Sequence, residues 1–273
     1  MKRYVSIVGL ALTSIVVHST TVEAMKLTPV GASASSTFTG PGYDPIVVVD
    51  GTGLGQLNAT SEDPNGLYHT NHWEYVCSNN APCTSAAAAN RAFLPNTWMA
   101  NQYEINGAYL EIDLGSDQTL GTDALWVWNH NQTILTSRGM RNITVDIAPD
   151  DSGPALTFPN HPTSTYQPVS ISIKDNSGAV KGTQELTEAP GALVGDWPNY
   201  NYNTFDLIDL SDGAGGDVTG RYIRITASSN WGDPNFNGLS EVQAFAVPEP
   251  CSVGLLGLGM LGLAAYRWRR RKQ

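Results

Sequence analysis

The 273-residue chain predicts an all-β fold, a β-sandwich or jelly roll, set between two export segments. Three observations carry that prediction. Short runs of alternating apolar and polar residues recur along the second half of the chain. Gly, Pro, Asn and Asp clusters punctuate them, and no stretch shows helical periodicity with a capping box.

The chain opens on Lys2 and Arg3, followed by an apolar run from Tyr4 to Val17 and by Val22-Glu23-Ala24. A charged start, a short apolar stretch and small residues at the positions a signal peptidase reads predict a signal peptide over 1–24, cleaved after Ala24. Residues 25–43, rich in Ser, Thr, Gly and Pro, read as an extended leader. Ile46-Val47-Val48-Val49 is a β-branched strand candidate, ended by the turn Asp50-Gly51-Thr52-Gly53. A long polar stretch follows to Asn106.

That stretch holds Cys77 and Cys83, the only cysteines between the two export segments. In an oxidising compartment, two cysteines closing a short polar loop predict a disulfide. Closing a loop of that size stabilises by roughly 2 kcal/mol, mostly by restricting the unfolded chain. His69, His72 and Glu74 precede the pair, but their spacing fits no standard zinc motif. Cys251 stands apart, beside the apolar tail, as a free thiol or a lipidation site.

Strand signals then come steadily. Tyr109-Leu110-Glu111-Ile112-Asp113-Leu114 alternates, with Leu110, Ile112 and Leu114 facing inward, and Gly115 is expected to end it. Ala124 to Asn129 is an aromatic-rich strand, and Asn142 to Ala148 alternates with its apolar residues on odd positions. Val169–Lys174, Thr204–Leu210, Arg221–Thr226 and Ser240–Ala246 complete the set.

The last 27 residues have three parts: Pro248-Glu249-Pro250, an uncharged run from Val253 to Tyr266, and Arg267-Trp268-Arg269-Arg270-Arg271-Lys272. The prolines end the preceding strand. As a helix the run predicts a short transmembrane anchor, extended by interfacial Tyr266 and Trp268, with the cations on the cytoplasmic side. Pro248, Glu249 and Pro250, the Gly/Leu-rich run and the cluster Arg269, Arg270, Arg271 together resemble the PEP-CTERM protein-sorting segment of Gram-negative bacteria, here over 247–273. The resemblance implies handling by an exosortase-type membrane protease. It also implies a transient inner-membrane stage, then the cell surface or extracellular matrix.

Charge narrows the partners. Seven of the 15 basic residues (Lys2, Arg3, Arg267, Arg269, Arg270, Arg271, Lys272) and two of the 25 acidic ones (Glu23, Glu249) lie in the two ends. The exported part therefore holds 8 basic against 23 acidic residues, a formal charge of −15. Such a domain disfavours nucleic acid and anionic membrane surfaces as partners.

The order of the strand segments resembles a second family over residues 44–246. Val49-Asp50-Gly51, Trp98, Tyr109 to Gly115, Trp126-Val127-Trp128-Asn129-His130-Asn131, Arg138 to Val145, Arg221 to Ile225 and Leu239 to Phe245 follow the discoidin (coagulation factor C-type, galactose-binding-like) β-sandwich. The chain departs from that family around Cys77–Asn90 and over Asp150–Tyr200, and it lacks the terminal cysteine pair of animal members. The resemblance implies a calcium ion between the first loop and the closing strand, held by Asp50 and Glu241. The other reading is a turn cap for Asp50 and a solvated edge residue for Glu241.

A sugar site would lie on loops at one end of the sandwich, where aromatic faces stack on sugar C–H groups and polar side chains meet hydroxyls. The candidates are His130, Asn131, Arg138, Trp231 and Asn235. No Gly-x-Ser-x-Gly elbow, His-Glu-x-x-His helix or phosphate loop occurs in the sequence. The reading is a non-catalytic binding protein for exopolysaccharide. The alternatives are a structural matrix protein and, behind it, a glycan-acting hydrolase.

Overall fold

A computed structural model of the chain describes residues 24–39, 43–49, 97–130, 136–150, 166–189 and 205–247, and the backbone of four short strands between 54 and 91. The strands in chain order are β1 (Met25–Lys26), β2 (Gly31–Ala34), β3 (Leu54–Gln56), β4 (Leu67–His69), β5 (Tyr75–Cys77) and β6 (Ala89–Arg91). They continue with β7 (Trp98–Met99), β8 (Tyr109–Leu120), β9 (Leu125–Asn129), β10 (Ile143–Ala148) and β11 (Gln167–Pro168). The last four are β12 (Ser170–Asp175), β13 (Asp206–Ser211), β14 (Val218–Ala227) and β15 (Gly238–Ala246).

Two antiparallel sheets make the predicted sandwich. One runs β1-β15-β9-β13-β12, with β7 also paired to β15; the other runs β11-β10-β14-β8-β2. β3 pairs with β4 and β5 with β6 as separate two-stranded pieces. From β8 to β10 each successive strand crosses to the opposite sheet, as do β14 and β15, so the sheets are tied by chain connections as well as by packing. Among the described residues there is no α-helix, and none is long and apolar enough to cross a membrane.

Alternation decides which face is inside. Leu110, Ile112 and Leu114 of β8, Ile143, Val145 and Ile147 of β10, and Ile223 and Ile225 of β14 meet Leu125, Val127, Ile208, Val242 and Ala244 of the other sheet in one buried cluster. The inward odd positions of β10 are those the sequence predicts.

Three expectations change. Pro45–Val48 is a 3-10 turn, not a strand. Asp44 caps it by accepting from the Ile46 N–H at 3.1 Å, and Pro45 stands where a helical turn needs no N–H, so local start chemistry outweighs the β-branched run. Gly115 does not end β8. It takes a positive φ of 84° and the strand runs on to Leu120. The expected leader is extended but built in, since β1 pairs with β15 and β2 with β8. Elsewhere the register shifts at Gly220, where any Cβ would stand 2.2 Å from Ile147 Cγ2 and 2.9 Å from the Ala148 carbonyl, so only glycine fits.

Candidate functional site

One end of the sandwich gathers the chain between β14 and β15, the 3-10 turn Thr136–Arg138 and the turn at residues 100–105. The first of these is Ser228 to Asn237, whose Asn, Gly, Asp and Pro are turn residues. Asn230 Nδ2 donates to the carbonyls of Asp233 (2.6 Å) and Phe236 (2.7 Å), and Asn230 Oδ1 accepts from the Gly232 N–H. Gly232 sits at φ 116°, open to glycine alone. Asp233 Oδ1 accepts from the N–H groups of Asn235 (2.8 Å) and Phe236 (3.0 Å). The loop thus satisfies much of its own backbone.

Arg138 then locks it. Its Nε donates to Asp233 Oδ2 at 3.0 Å, its guanidinium lies 4.4 Å from the Phe236 ring centre, and Nη1 reaches Met99 Sδ. The two side chains are only 16% and 8% exposed. Phe236 meets Phe38 edge-on, and Phe38 meets Tyr43 likewise. Backbone bonds from Asp233 N to Ser137 O, Trp231 N to Gly139 O and Ala100 N to Asn237 O stitch the three segments together, as does Tyr103 N to Asn235 O at 2.6 Å.

Around the locked loop stands an aromatic and amide rim. Tyr103, held at a positive φ of 73°, is 73% exposed. Trp231 is half-buried under the Arg141 guanidinium, 4.8 Å from its ring centre, and Arg141 pairs with Glu185 at 3.0 Å in the open. Asn235 is half-buried beside Tyr103. Flat rings beside an amide suit a hydroxylated ring that stacks and hydrogen-bonds.

The structure therefore joins Arg138, Trp231 and Asn235 at one rim, with Arg138 in a positioning part. His130 is at the same end but 1% exposed, next to Gly238, where a Cβ would stand 3.2 Å from His130 Nδ1. It belongs to the packing beneath the rim, not to an open loop. Asn131 lies outside the described residues, as do Asp50, Cys83, Pro248, Glu249, Pro250, Arg269, Arg270 and Arg271 and the side chain of Cys77. Glu241 is no solvated edge residue: it is fully buried in β15, opposite Trp128 of β9. Among the described residues no group of three His, Cys, Asp or Glu side chains is placed to hold a metal. Tyr103 escaped the sequence reading because nothing local marks its exposure.

A second polar constellation was also missed. On the outer face of the five-stranded sheet, Ser33, Glu111, Arg224 and Asp146 stand in one cross-strand row. Arg224 Nη2 donates to Glu111 Oε2 at 2.7 Å, and its guanidinium is sandwiched between the rings of Tyr109 (4.5 Å) and Tyr166 (3.8 Å). Glu111 is fully buried and Arg224 6% exposed. Burial, then the Glu111 carboxylate, pushes the Tyr166 phenol far above its ordinary range. Burial also raises the Asp146 carboxyl against the lowering pull of Arg224. One row along, Arg221 is bidentate on Asp113 (2.7 and 2.9 Å) and also meets Asp150. The signal was present as charges on the polar half of the β8 and β14 alternation.

Residues 246–271 match the PEP-CTERM protein-sorting motif. No curated protein matches the chain in sequence. Several solved structures align with it. The family 32 CBM from C. perfringens NanJ in complex with galactose is 10% identical, with 81% of this chain and 98% of that one covered and a TM-score of 0.41. The CBM32 of AlyQ in complex with 4,5-unsaturated mannuronic acid is 16% identical, with 82% and 99% covered and a TM-score of 0.36. Chitosan-binding module 1 from a chitosanase/glucanase of Paenibacillus sp. IK-5 is 13% identical, with 81% and 96% covered and a TM-score of 0.38.

Proposed function

We propose that the chain is an exported, non-catalytic binding protein that engages carbohydrate, in particular extracellular polysaccharide, through the rim around Tyr103, Trp231 and Asn235. The observation that carries this reading is the locked loop. Arg138 and Asp233 fix the β14–β15 connection from beneath, and the rim they support, exposed Tyr103 with half-buried Trp231 and Asn235, consists of rings and an amide rather than a nucleophile with its base. A ligand meeting a preformed rim gives up little ordering entropy on binding. The sorting motif at 246–271 supports export. An exosortase-type membrane protease is the partner this implies, with the cell surface or matrix of a Gram-negative bacterium as destination.

Calcium belongs to the same reading as a structural ion. Glu241 supplies a buried carboxylate oxygen, the hard donor Ca²⁺ prefers, and the remaining oxygens would come from Asp50 and the turn after it. A second reading, a cohesive matrix protein without a specific ligand, is favoured by how completely Arg138 and Asp233 are engaged within the protein.

The test is a glycan array with residues 25–247, with and without calcium, alongside Tyr103→Ala and Trp231→Ala. Binding that both substitutions weaken at least tenfold is expected. Absence of any glycan binding would leave the matrix reading in its place, and turnover of chromogenic glycosides would replace both with a hydrolase.

A further inference from the structure

The geometry points to a fixed polarity of presentation: the sorting tail leaves the sandwich at the end opposite the rim, so a tail-tethered molecule holds Tyr103, Trp231 and Asn235 away from the membrane. The rim is the ligand face only on the proposed function; the polarity itself rests on strand directions.

β15 runs from the rim to the tail. Its first residues, Gly238 and Leu239, pair with β7 beside the rim, and its last, Phe245 and Ala246, pair with Lys26 and Met25 of β1. A nine-residue strand at about 3.3 Å per residue puts those ends roughly 26 Å apart. The fold extends to Val247 itself, whose N–H donates to the Thr119 carbonyl at 2.8 Å. A Cβ added at Gly121 would stand 2.9 Å from Val247 Cγ2, so Val247 is seated against the β8–β9 turn. That turn and the β13–β14 connection, Asp212 to Asp217, form the tail-side end, tied together by Leu210 N to Gly121 O.

Both chain ends of the exported domain are therefore on one side. β1 begins at the residue after the expected signal-peptide junction and lies antiparallel against the last residues before Pro248. Pro248 follows Val247 directly in the sequence, and Pro248 and Pro250 each have a fixed φ. A tether joined at the first residue beyond the fold keeps the tail-side end of the sandwich nearer the membrane than the rim.

The experiment uses the full chain in phospholipid vesicles whose outer leaflet carries an acceptor dye. An azide-bearing residue for a donor dye is placed at Tyr103 in one variant and at Ala214, exposed in the β13–β14 connection, in another. Energy transfer to the membrane is expected to be clearly stronger from position 214 than from 103. A ten-residue Gly/Ser insertion between Val247 and Pro248 should bring the two positions level. Equal transfer without the insertion, stronger transfer from 103, or failure of the chain to float with the vesicles overturns the inference. Loss of glycan binding leaves these readouts untouched, so the two readings fail separately.

Discussion

Asp233→Asn is the substitution that tests whether the rim is built or incidental. The amide keeps an Oδ1 to accept from the N–H groups of Asn235 and Phe236. At the other branch it removes the charge and sets an NH₂ against the Arg138 Nε–H, 3.0 Å away. A charge-assisted hydrogen bond contributes about 1.5–3 kcal/mol. Breaking a fully buried pair costs about 3–5 kcal/mol, and an exposed pair is worth about 0–1. With side-chain exposures of 16% and 8%, the pair lies near the buried end, and a loss of about 2–3 kcal/mol is expected. Asp233→Ala also forfeits the two backbone bonds and should cost about 4 kcal/mol. Arg141→Ala is the contrast, because its pair with Glu185 is 43% and 27% exposed and should cost under about 1 kcal/mol. Urea unfolding read by linear extrapolation, with the slope unchanged, gives these values. If Asp233→Asn falls within about 0.5 kcal/mol of the parent, the pair is ordinary surface charge and the preformed-rim argument collapses.

Three further outcomes follow from buried polar groups. Gln243 is 3% exposed opposite Trp126, and its Oε1 has no hydrogen-bond partner among the described residues; Gln243→Met should leave urea stability unchanged or raise it by about 1 kcal/mol, and a loss larger than that refutes the orphan. Burial outweighs the opposing Lys181 charge and Thr187 hydrogen bonds and lifts the Asp206 carboxyl above its ordinary range. A raised folded value means the folded state holds the proton more tightly, so the group favours folding below about pH 4 and loses that contribution as pH rises through its folded pKa. The stability advantage of the parent over Asp206→Asn should therefore shrink between pH 4 and 7, and an advantage that grows contradicts the assignment. Calcium should raise the melting temperature of the parent and do so less in Glu241→Gln; no calcium effect on the parent removes the metal from the account.

How much of this was legible in the sequence differs between scaffold and site. The period-two pattern of Ile143, Val145 and Ile147, and of Leu110, Ile112 and Leu114, placed those side chains inward because a strand offers one buried face and a slip would expose them all. Composition misread Ile46 to Val49, where Asp44 and Pro45 decide a turn that β-branching does not. β1 and β2 were not legible, since Gly31-Ala32-Ser33-Ala34 carries no apolar alternation and is a strand only because β8 offers it an edge. At the site, Arg138 and Trp231 were visible as residue types, but their partners come from across the sequence. Arg138 and Asp233 are 95 positions apart, and Glu111 and Arg224 are 113 apart. Only a register of strands brings such pairs together, and a single sequence does not carry it.

That distinction reassigns the work at the rim. The side chains most obviously equipped to grip a sugar, Arg138 and His130, are those the fold uses inwardly, one on Asp233 and the other packed beneath Gly238. A buried polar group must be satisfied within the protein, and a guanidinium already committed to a carboxylate and a ring offers a ligand little without breaking them. On the proposed function, recognition would fall to exposed Tyr103, helped by the half-buried Trp231 and Asn235, for which stacking outweighs charge. A rim of that kind would discriminate ligands by the shape and hydroxyl pattern of a ring face more than by ionic groups. Added salt should therefore leave its affinity nearly unchanged, whereas binding driven by Arg138 or Arg141 would weaken as ionic strength rises.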